Sequence, residues 1–241
     1  MTWWESWFGE EYLELYPHRD LASARREVAF ALDRLDPDPM PLLDLCCGPG
    51  RHSLRFAEKG FPPVGLDYSA PLLELARARG QELRLVRGDM RALPFGAGAF
   101  RSVVNFFTSF GYFLREADNM AVVTEIERVL EPGGRFLCDT FGRDYVLARL
   151  VPEESRSTGE KEYRIRRWWN PQTRRLEKEI EVRRGGSTET FRESVRAYTA
   201  EELVEIFRQA GLAIEETWGG FDGGPAGSQA PRLIVLAKKP C

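Results

Sequence analysis

Asp44 lies in a hydrophobic run, Leu42-Leu43-Asp44-Leu45, and a glycine turn follows directly: Cys46-Cys47-Gly48-Pro49-Gly50. Gly48 and Gly50 let the backbone bend sharply and come close to a ligand. A helix is expected to begin near His52 or Ser53 and to run through Leu54, Phe56 and Ala57. Strand, glycine loop and helix together form the entry to a nucleotide-type site at the carboxyl edge of a parallel sheet. The carboxylate selects among such ligands. A pyrophosphate would sit at the helix N-terminus, where a negative side chain repels it. A ligand presenting a cation near the turn would be attracted instead.

S-adenosylmethionine is such a ligand, with an ammonium, a sulfonium and no phosphate. Later strand ends agree with it. Pro63-Val64-Gly65-Leu66 runs into Asp67, where an acid can hold both ribose hydroxyls. Tyr68 beside it can lie against one face of adenine, and Ser69 is the expected cap of the following helix. Leu83-Arg84-Leu85-Val86 leads to Gly88-Asp89-Met90, where Asp89 can accept from the adenine amino group while Met90 packs on the ring. Ser102-Val103-Val104 ends in Asn105, whose amide or backbone carbonyl can hold the methionine end or a substrate amine. A helix over 117–130 stops at Glu131-Pro132-Gly133-Gly134, and the strand Arg135-Phe136-Leu137-Cys138-Asp139 follows.

This order of motifs resembles the class I S-adenosylmethionine-dependent methyltransferases, closely over residues 40–141 and more loosely over 199–239. The motifs are weak singly and specific together. Cys46 departs from the pattern, standing where the family usually has the first glycine of the loop. Cysteine is small enough for the turn to survive, although it enters φ > 0 less freely than glycine. The resemblance implies a doubly wound α/β fold whose seven-stranded sheet has six strands parallel and the last reversed. It also implies an amino-terminal helix folded over the cofactor as a lid, with Tyr12, Tyr16 or Arg19 reaching the cofactor carboxylate. The chain lacks an Asn/Asp-Pro-Pro-Tyr tetrapeptide after the fourth strand, a motif associated with planar-amine methylation in this superfamily. That argues against adenine or a glutamine amide as acceptor.

The remaining elements must position these residues. Residues 1–38 read as the helical lid, with an aromatic stripe of Trp3, Trp4, Trp7, Phe8, Tyr12 and Tyr16 and a second helix over 21–35. Proline-rich 36–41 leads into the cofactor-binding core, 39–150. Residues 152–159 read as a polar loop, and 162–198 as a three-stranded antiparallel meander with period-two alternation; together they make an insertion, 151–198. Thr199 and Glu202 form a capping box opening a helix that Gly211 ends, and strands 213–218 and 232–238 close the sheet.

Phe106 to Phe113 is the segment expected to meet the acceptor, with Thr108 and Ser109 offering hydroxyls and Tyr112 a phenol. Tyr12 and Trp168 are further substrate candidates, and His18 is a candidate general base. His52 is expected in an uncharged capping role. The arginines between 164 and 184 alternate with glutamates and read as cross-strand ion pairs, although Trp168 and Trp169 with Arg166 and Arg167 could stack a base.

Composition narrows the classes. At 241 residues the chain fits one α/β domain with an insertion, and a net charge of −3 argues against a broad grip on nucleic acid. No apolar run reaches membrane-spanning length. The four cysteines match neither a zinc site nor a disulfide framework, which fits a reduced, cytoplasmic protein with no metal. Arginine excess and loop prolines fit either a thermophile or high-GC coding bias. The sequence therefore points to a methyltransferase, monomeric or homodimeric, acting on an O or N atom of a small-molecule acceptor. An RNA or protein methyltransferase, or a non-catalytic S-adenosylmethionine-binding protein, is the alternative; a nicotinamide oxidoreductase fits poorly.

Overall fold

The computed structural model describes residues 2–16, 21–35, 41–80 and 82–241, with Glu10 described by its backbone alone. Helices α1 (Trp3–Trp7), α2 (Glu10–Leu15) and α3 (Leu21–Leu32) come first. Strand and helix then alternate as β1 (Leu42–Leu45), α4 (Arg51–Glu58), β2 (Val64–Asp67), α5 (Ala70–Arg79) and β3 (Arg84–Arg87). β4 (Phe100–Asn105), α6 (Glu116–Val129), β5 (Leu130–Phe141) and α7 (Arg143–Ala148) follow. Next come β6 (Glu153–Thr158), β7 (Lys161–Asn170), β8 (Arg175–Arg184) and β9 (Ser187–Arg196). The chain closes with α8 (Ala200–Gln209), β10 (Ala213–Trp218) and β11 (Arg232–Lys238).

The main sheet has seven strands in the order β10-β11-β5-β4-β1-β2-β3. β11 runs antiparallel to both its neighbours while the other pairings are parallel, so six strands point one way and one is reversed. Leu43, Leu45, Val103 and Phe136 pack on one face with Val122, Ile126 and Phe207 from α6 and α8. Leu42, Val104, Leu137 and Ile234 pack on the other with Val28, Phe30 and Phe56 from α3 and α4. A sheet covered on both sides calls for mainly apolar strands, and β11 is nearly apolar throughout. Polar residues interrupt others, as Asp44 does in β1, Ser102 in β4 and Glu215 and Glu216 in the edge strand β10, while Asp67 and Asn105 end β2 and β4. Ser69 caps α5 by accepting from the Leu72 amide at 3.2 Å, and Thr199 with Glu202 forms the capping box of α8; each such cap contributes about 1 kcal/mol.

The insertion departs from expectation in one respect. It has four strands, because residues 153–158, expected as loop, pair with β7 as the antiparallel edge strand β6. One face of this second sheet buries Tyr163, Ile165, Ile180 and Val182 against Trp7 and Leu15 of the amino-terminal helices. The opposite face carries the cross-strand ion pairs: Arg164 with Glu153 at 2.6 Å, Arg192 with Glu179 at 3.2 Å, and Arg166 between Glu179 and Glu181. A second difference lies at β5, which begins at Leu130 rather than Arg135, with an irregularity in its pairing to β4.

Candidate functional site

The parallel strands β1, β2 and β4 end along one edge of the sheet, and the glycine turn follows β1 there. Cys46, at φ 61°, holds the left-handed backbone the turn requires, and Gly48 (53°) and Gly50 (74°) do the same. The bend therefore survives the cysteine, at about 1–2 kcal/mol for an L-residue in that region. Gly50 is the N-cap of α4 and does not line the cavity beside the turn; a Cβ there would lie 3.0 Å from the Ala76 Cβ and 3.2 Å from Leu83 Cδ1. Gly50→Ala should accordingly destabilise the fold by about 1–3 kcal/mol. A thermal unfolding midpoint equal to that of the native chain would refute this reading of the turn.

Beside the turn lies a first cavity. Cys46, Gly48, Asp67 and Ser69 form one side, Asp89 and Met90 the base, and Trp4, Phe8 and Tyr68 of the lid and α5 entry the cover. Asp67 accepts from the Gly48 amide and from the Ser69 amide, both at 2.8 Å. These bonds lock the acid to the glycine turn. Burial nevertheless pushes its pKa up to about 6, with Asp44 adding to the rise against the pull of the backbone amides. Asp44 is buried beneath the turn and accepts from Ser53 Oγ at 2.6 Å; its pKa is likewise raised to about 6, by burial. It is not among the residues that line the cavity, and its hydrogen bond ties β1 to the first turn of α4.

Asp89 faces the cavity with its oxygens engaged by Arg91, at 2.6 Å from Nη2 and 3.1 Å from Nε. Burial pushes its pKa up, but the hydrogen bonds and charge of Arg91 outweigh this and hold it below the usual range. The Arg91 guanidinium also lies 4.4 Å from the Phe113 ring centroid. Met90 contacts Cys46 sulfur to sulfur at 3.6 Å. Asn105, expected at the cofactor, lies buried behind the turn and is not among the residues that line the first cavity; its Nδ2 donates to Leu45 O at 2.9 Å. Its Oδ1 is, among the described residues, the buried side-chain oxygen that lacks a partner. An unfilled acceptor beside a glycine turn, with an acid at the β2 tip, fits a ligand that carries an ammonium and a ribose. The site residues therefore suit S-adenosylmethionine.

A second cavity adjoins the first. Phe8, Tyr12 and Tyr112 line both, so these three rings form the partition. Phe107, Thr108 and Arg232 line the second cavity on the sheet side, and Lys178 and Glu193 on the insertion side. Lys178 Nζ meets Glu193 at 2.6 Å, while Trp7 Nε1 and the Tyr16 hydroxyl donate to the other Glu193 oxygen at 2.6 and 2.8 Å.

The sequence candidates divide accordingly. Ser109 lines the first cavity, Thr108 the second, and Tyr12 and Tyr112 both. Tyr16 stands at the Lys178–Glu193 pair and outside the first cavity's wall. Trp168 reaches neither cavity: period-two alternation puts it opposite Glu177 on the exposed face of the insertion, 44% accessible. His18 and Arg19, and the proline-rich stretch 36–40, lie outside the described residues. His52 is not a cap. It is buried, stacked on Phe106 at 4.3 Å, with Nε2 2.6 Å from Glu27, and burial with Arg51 nearby lowers its pKa to about 4. Arg175, Asp139 and Arg232 were not foreseen. Among the described residues no cluster suits a metal ion, and no helix is long and apolar enough to cross a membrane.

Comparison with known proteins agrees with this geometry. Residues 42–134 match the methyltransferase domain family. The chain is 28% identical over 220 residues to the dTDP-3-amino-3,4,6-trideoxy-alpha-D-glucopyranose N,N-dimethyltransferase of Streptomyces venezuelae, covering 87% of this chain and 89% of the relative. Among solved structures, the CcbJ methyltransferase from Streptomyces caelestis superposes with a TM-score of 0.83 at 19% identity, covering 98% and 99% of the two chains. The S-adenosylmethionine-bound amino pentose methyltransferase CalS10 from Micromonospora echinaspora gives 0.70 at 24% identity over 95% and 97%.

Proposed function

We propose that this chain, whose residues 42–134 carry the methyltransferase domain on the fold of the class I S-adenosylmethionine-dependent enzymes, methylates an O or N atom of a small-molecule acceptor. The single observation that carries the small-molecule reading is the pair of cavities sharing Phe8, Tyr12 and Tyr112. The first takes the donor and the second, roofed by the insertion, takes the acceptor. When bound, the donor supplies an activated methyl: the acceptor's lone pair bonds to the carbon, the carbon–sulfur bond breaks with its electrons to sulfur, and S-adenosyl-L-homocysteine remains.

The chain's own contribution is alignment in a site shielded from water. The donor would be held by Asp67 at its ribose and by Asp89, Met90 and Tyr68 around its adenine, with its ammonium toward the turn in front of Asn105 Oδ1. The rings of the lid exclude solvent, and the partition tyrosines flank the path between donor and acceptor. An amine that binds unprotonated needs no dedicated base. Nitrogen is the favoured acceptor atom, because a relative covering 87% of the chain is named an N,N-dimethyltransferase and an aromatic wall suits the positive charge that develops on a nitrogen as it is methylated. The paired charges on the insertion's outer face give a nucleic acid little to hold. The four free cysteines suit a reducing cytoplasm. We expect a monomer or homodimer.

With methyl-labelled donor, the purified chain should move label into the small-molecule fraction of a metabolite extract and leave added RNA unlabelled. Label entering RNA alone would overturn the small-molecule reading. Tight binding of the donor with no turnover on either pool would favour a non-catalytic binding protein.

A further inference from the structure

Directly after β4 the backbone takes a form that side chains disfavour. Phe107 and Thr108 stand at φ 61° and 63°, two of the four non-glycine residues with positive φ among those described. For a β-branched threonine this is an outlier, and such strain persists only where the surroundings enforce it. Here the enforcement comes from one residue. Asp139, fully buried on β5, accepts from the Phe107 amide through Oδ2 at 2.8 Å, and its backbone carbonyl accepts from the Thr108 amide at 2.9 Å.

Asp139 is itself gripped from the neighbouring strand. Arg232, at the start of β11, donates to Oδ1 at 2.7 Å from Nε and to Oδ2 at 2.6 Å from Nη2. The same guanidinium reaches Thr108 Oγ1 at 3.5 Å and lies 5.2 Å from the Phe107 ring centroid. A two-pronged ion pair between adjacent strands thus closes over a strained turn whose two side chains line the second cavity. Glycines would make the same bend without strain. The chain instead keeps an aromatic ring and a hydroxyl there and holds them by force.

We propose that Asp139 and Arg232 are positioning residues: their ion pair fixes Phe107 and Thr108 as the floor against which the acceptor is aligned with the methyl group. This rests on the reading of the second cavity as the acceptor site. The pair is electrically self-compensated, so its effect is on geometry rather than on acceptor charge. Misplacing the floor lowers the rate at saturation more than it weakens acceptor binding.

The test is label transfer at saturating donor over a dilution series of the metabolite extract, for the native chain, Asp139→Asn and Arg232→Lys. The plateau rate is expected to fall about tenfold or more in both variants, while the half-saturating dilution moves less than about threefold and affinity for S-adenosyl-L-homocysteine is retained. Native-like plateaus with lowered melting temperatures would show the pair to be merely structural, and a raised half-saturation with an intact plateau would make Arg232 an acceptor-binding group; either result overturns the proposal. A second measurement needs no acceptor. Phe107→Gly, which tolerates the left-handed backbone, should recover part of the melting temperature lost in Asp139→Asn, and strictly additive losses would count against the clamp. Absence of label with the native chain would count against the functional reading alone, and the additivity measurement would still decide the clamp.

Discussion

Asp67→Asn is expected to weaken S-adenosyl-L-homocysteine binding about a hundredfold near neutral pH, the scale of losing two charge-assisted hydrogen bonds. The two ribose hydroxyls can donate to separate oxygens of this group in charge-assisted bonds only while it is ionised, since a proton occupies one oxygen and removes the charge. In the ligand-free protein its pKa stands at about 6, raised by burial with a contribution from Asp44, so protonation competes with the ligand in an accessible range. Native affinity should be flat above about pH 7 and fall by up to about tenfold per pH unit below 6. The stability of the ligand-free chain runs the other way. A carboxyl whose pKa rises on folding binds its proton more tightly in the native state, so its contribution is greatest at low pH and is lost as pH rises from about 4 to about 6. Asp44, also raised to about 6, acts in the same direction. Ligand binding reverses that trend for Asp67, since it favours the ionised form. In Asp67→Asn the pH step in affinity should flatten, and calorimetry across the range would show it. An affinity for the native chain that does not change between about pH 5 and 8 would remove Asp67 from the ribose site.

What the sequence made legible follows from how local each signal is. Asp44, Gly48, Gly50 and Asp67 sit within or directly beside short apolar strands, where any polar or flexible residue must be explained by the strand end it occupies. The reversed last strand was implied only by the family resemblance, since nothing local in its residues marks the direction in which it pairs. β6 escaped notice because an edge strand pairs on one side only, and Glu153–Thr158 has no apolar alternation to announce it. Trp168 could have been excluded from the site by the alternation already visible in Tyr163, Ile165 and Arg167, since the residue after that inward series must face outward. The strained turn at Phe107 was hidden for a different reason. Its left-handed backbone is imposed by Asp139, thirty-two residues away, and not by a turn-forming residue of its own. His52 stands in sequence as a residue local to its helix start, whereas its partner Glu27 lies on α3.

Arg175→Met should destabilise the fold by about 3 kcal/mol, a drop of roughly 6–12 °C in melting temperature for a chain this size. In the sequence Arg175 looks like its neighbours in an arginine-rich segment, but only 3% of it is exposed. Its Nη1 donates to Phe113 O at 2.9 Å, and Nη2 to Gly111 O and Tyr112 O, both at 3.0 Å. Nε donates to Ser194 Oγ at 2.7 Å and Nη2 to Ser194 O at 2.6 Å, which ties the 111–113 loop to the insertion. Burial lowers the pKa of this guanidinium, and Glu177 is reached through the Ser194 hydroxyl at 2.9 Å. Methionine removes the buried charge along with its bonds, and the carbonyls of Gly111 and Phe113 keep a second donor each, from the Arg196 amide and Asn119. That remaining solvation keeps the loss near 3 kcal/mol rather than the sum of five charged bonds. By contrast Arg166→Ala, on the exposed face opposite Glu179, should stay within about 1 kcal/mol. The loop carries Tyr112, so a loosened Arg175 site should also impair the partition between the two cavities. Turnover in Arg175→Met should therefore fall at temperatures where the chain is still folded. Equal destabilisation by the two arginine substitutions, measured by thermal unfolding, would show that burial is not what distinguishes them.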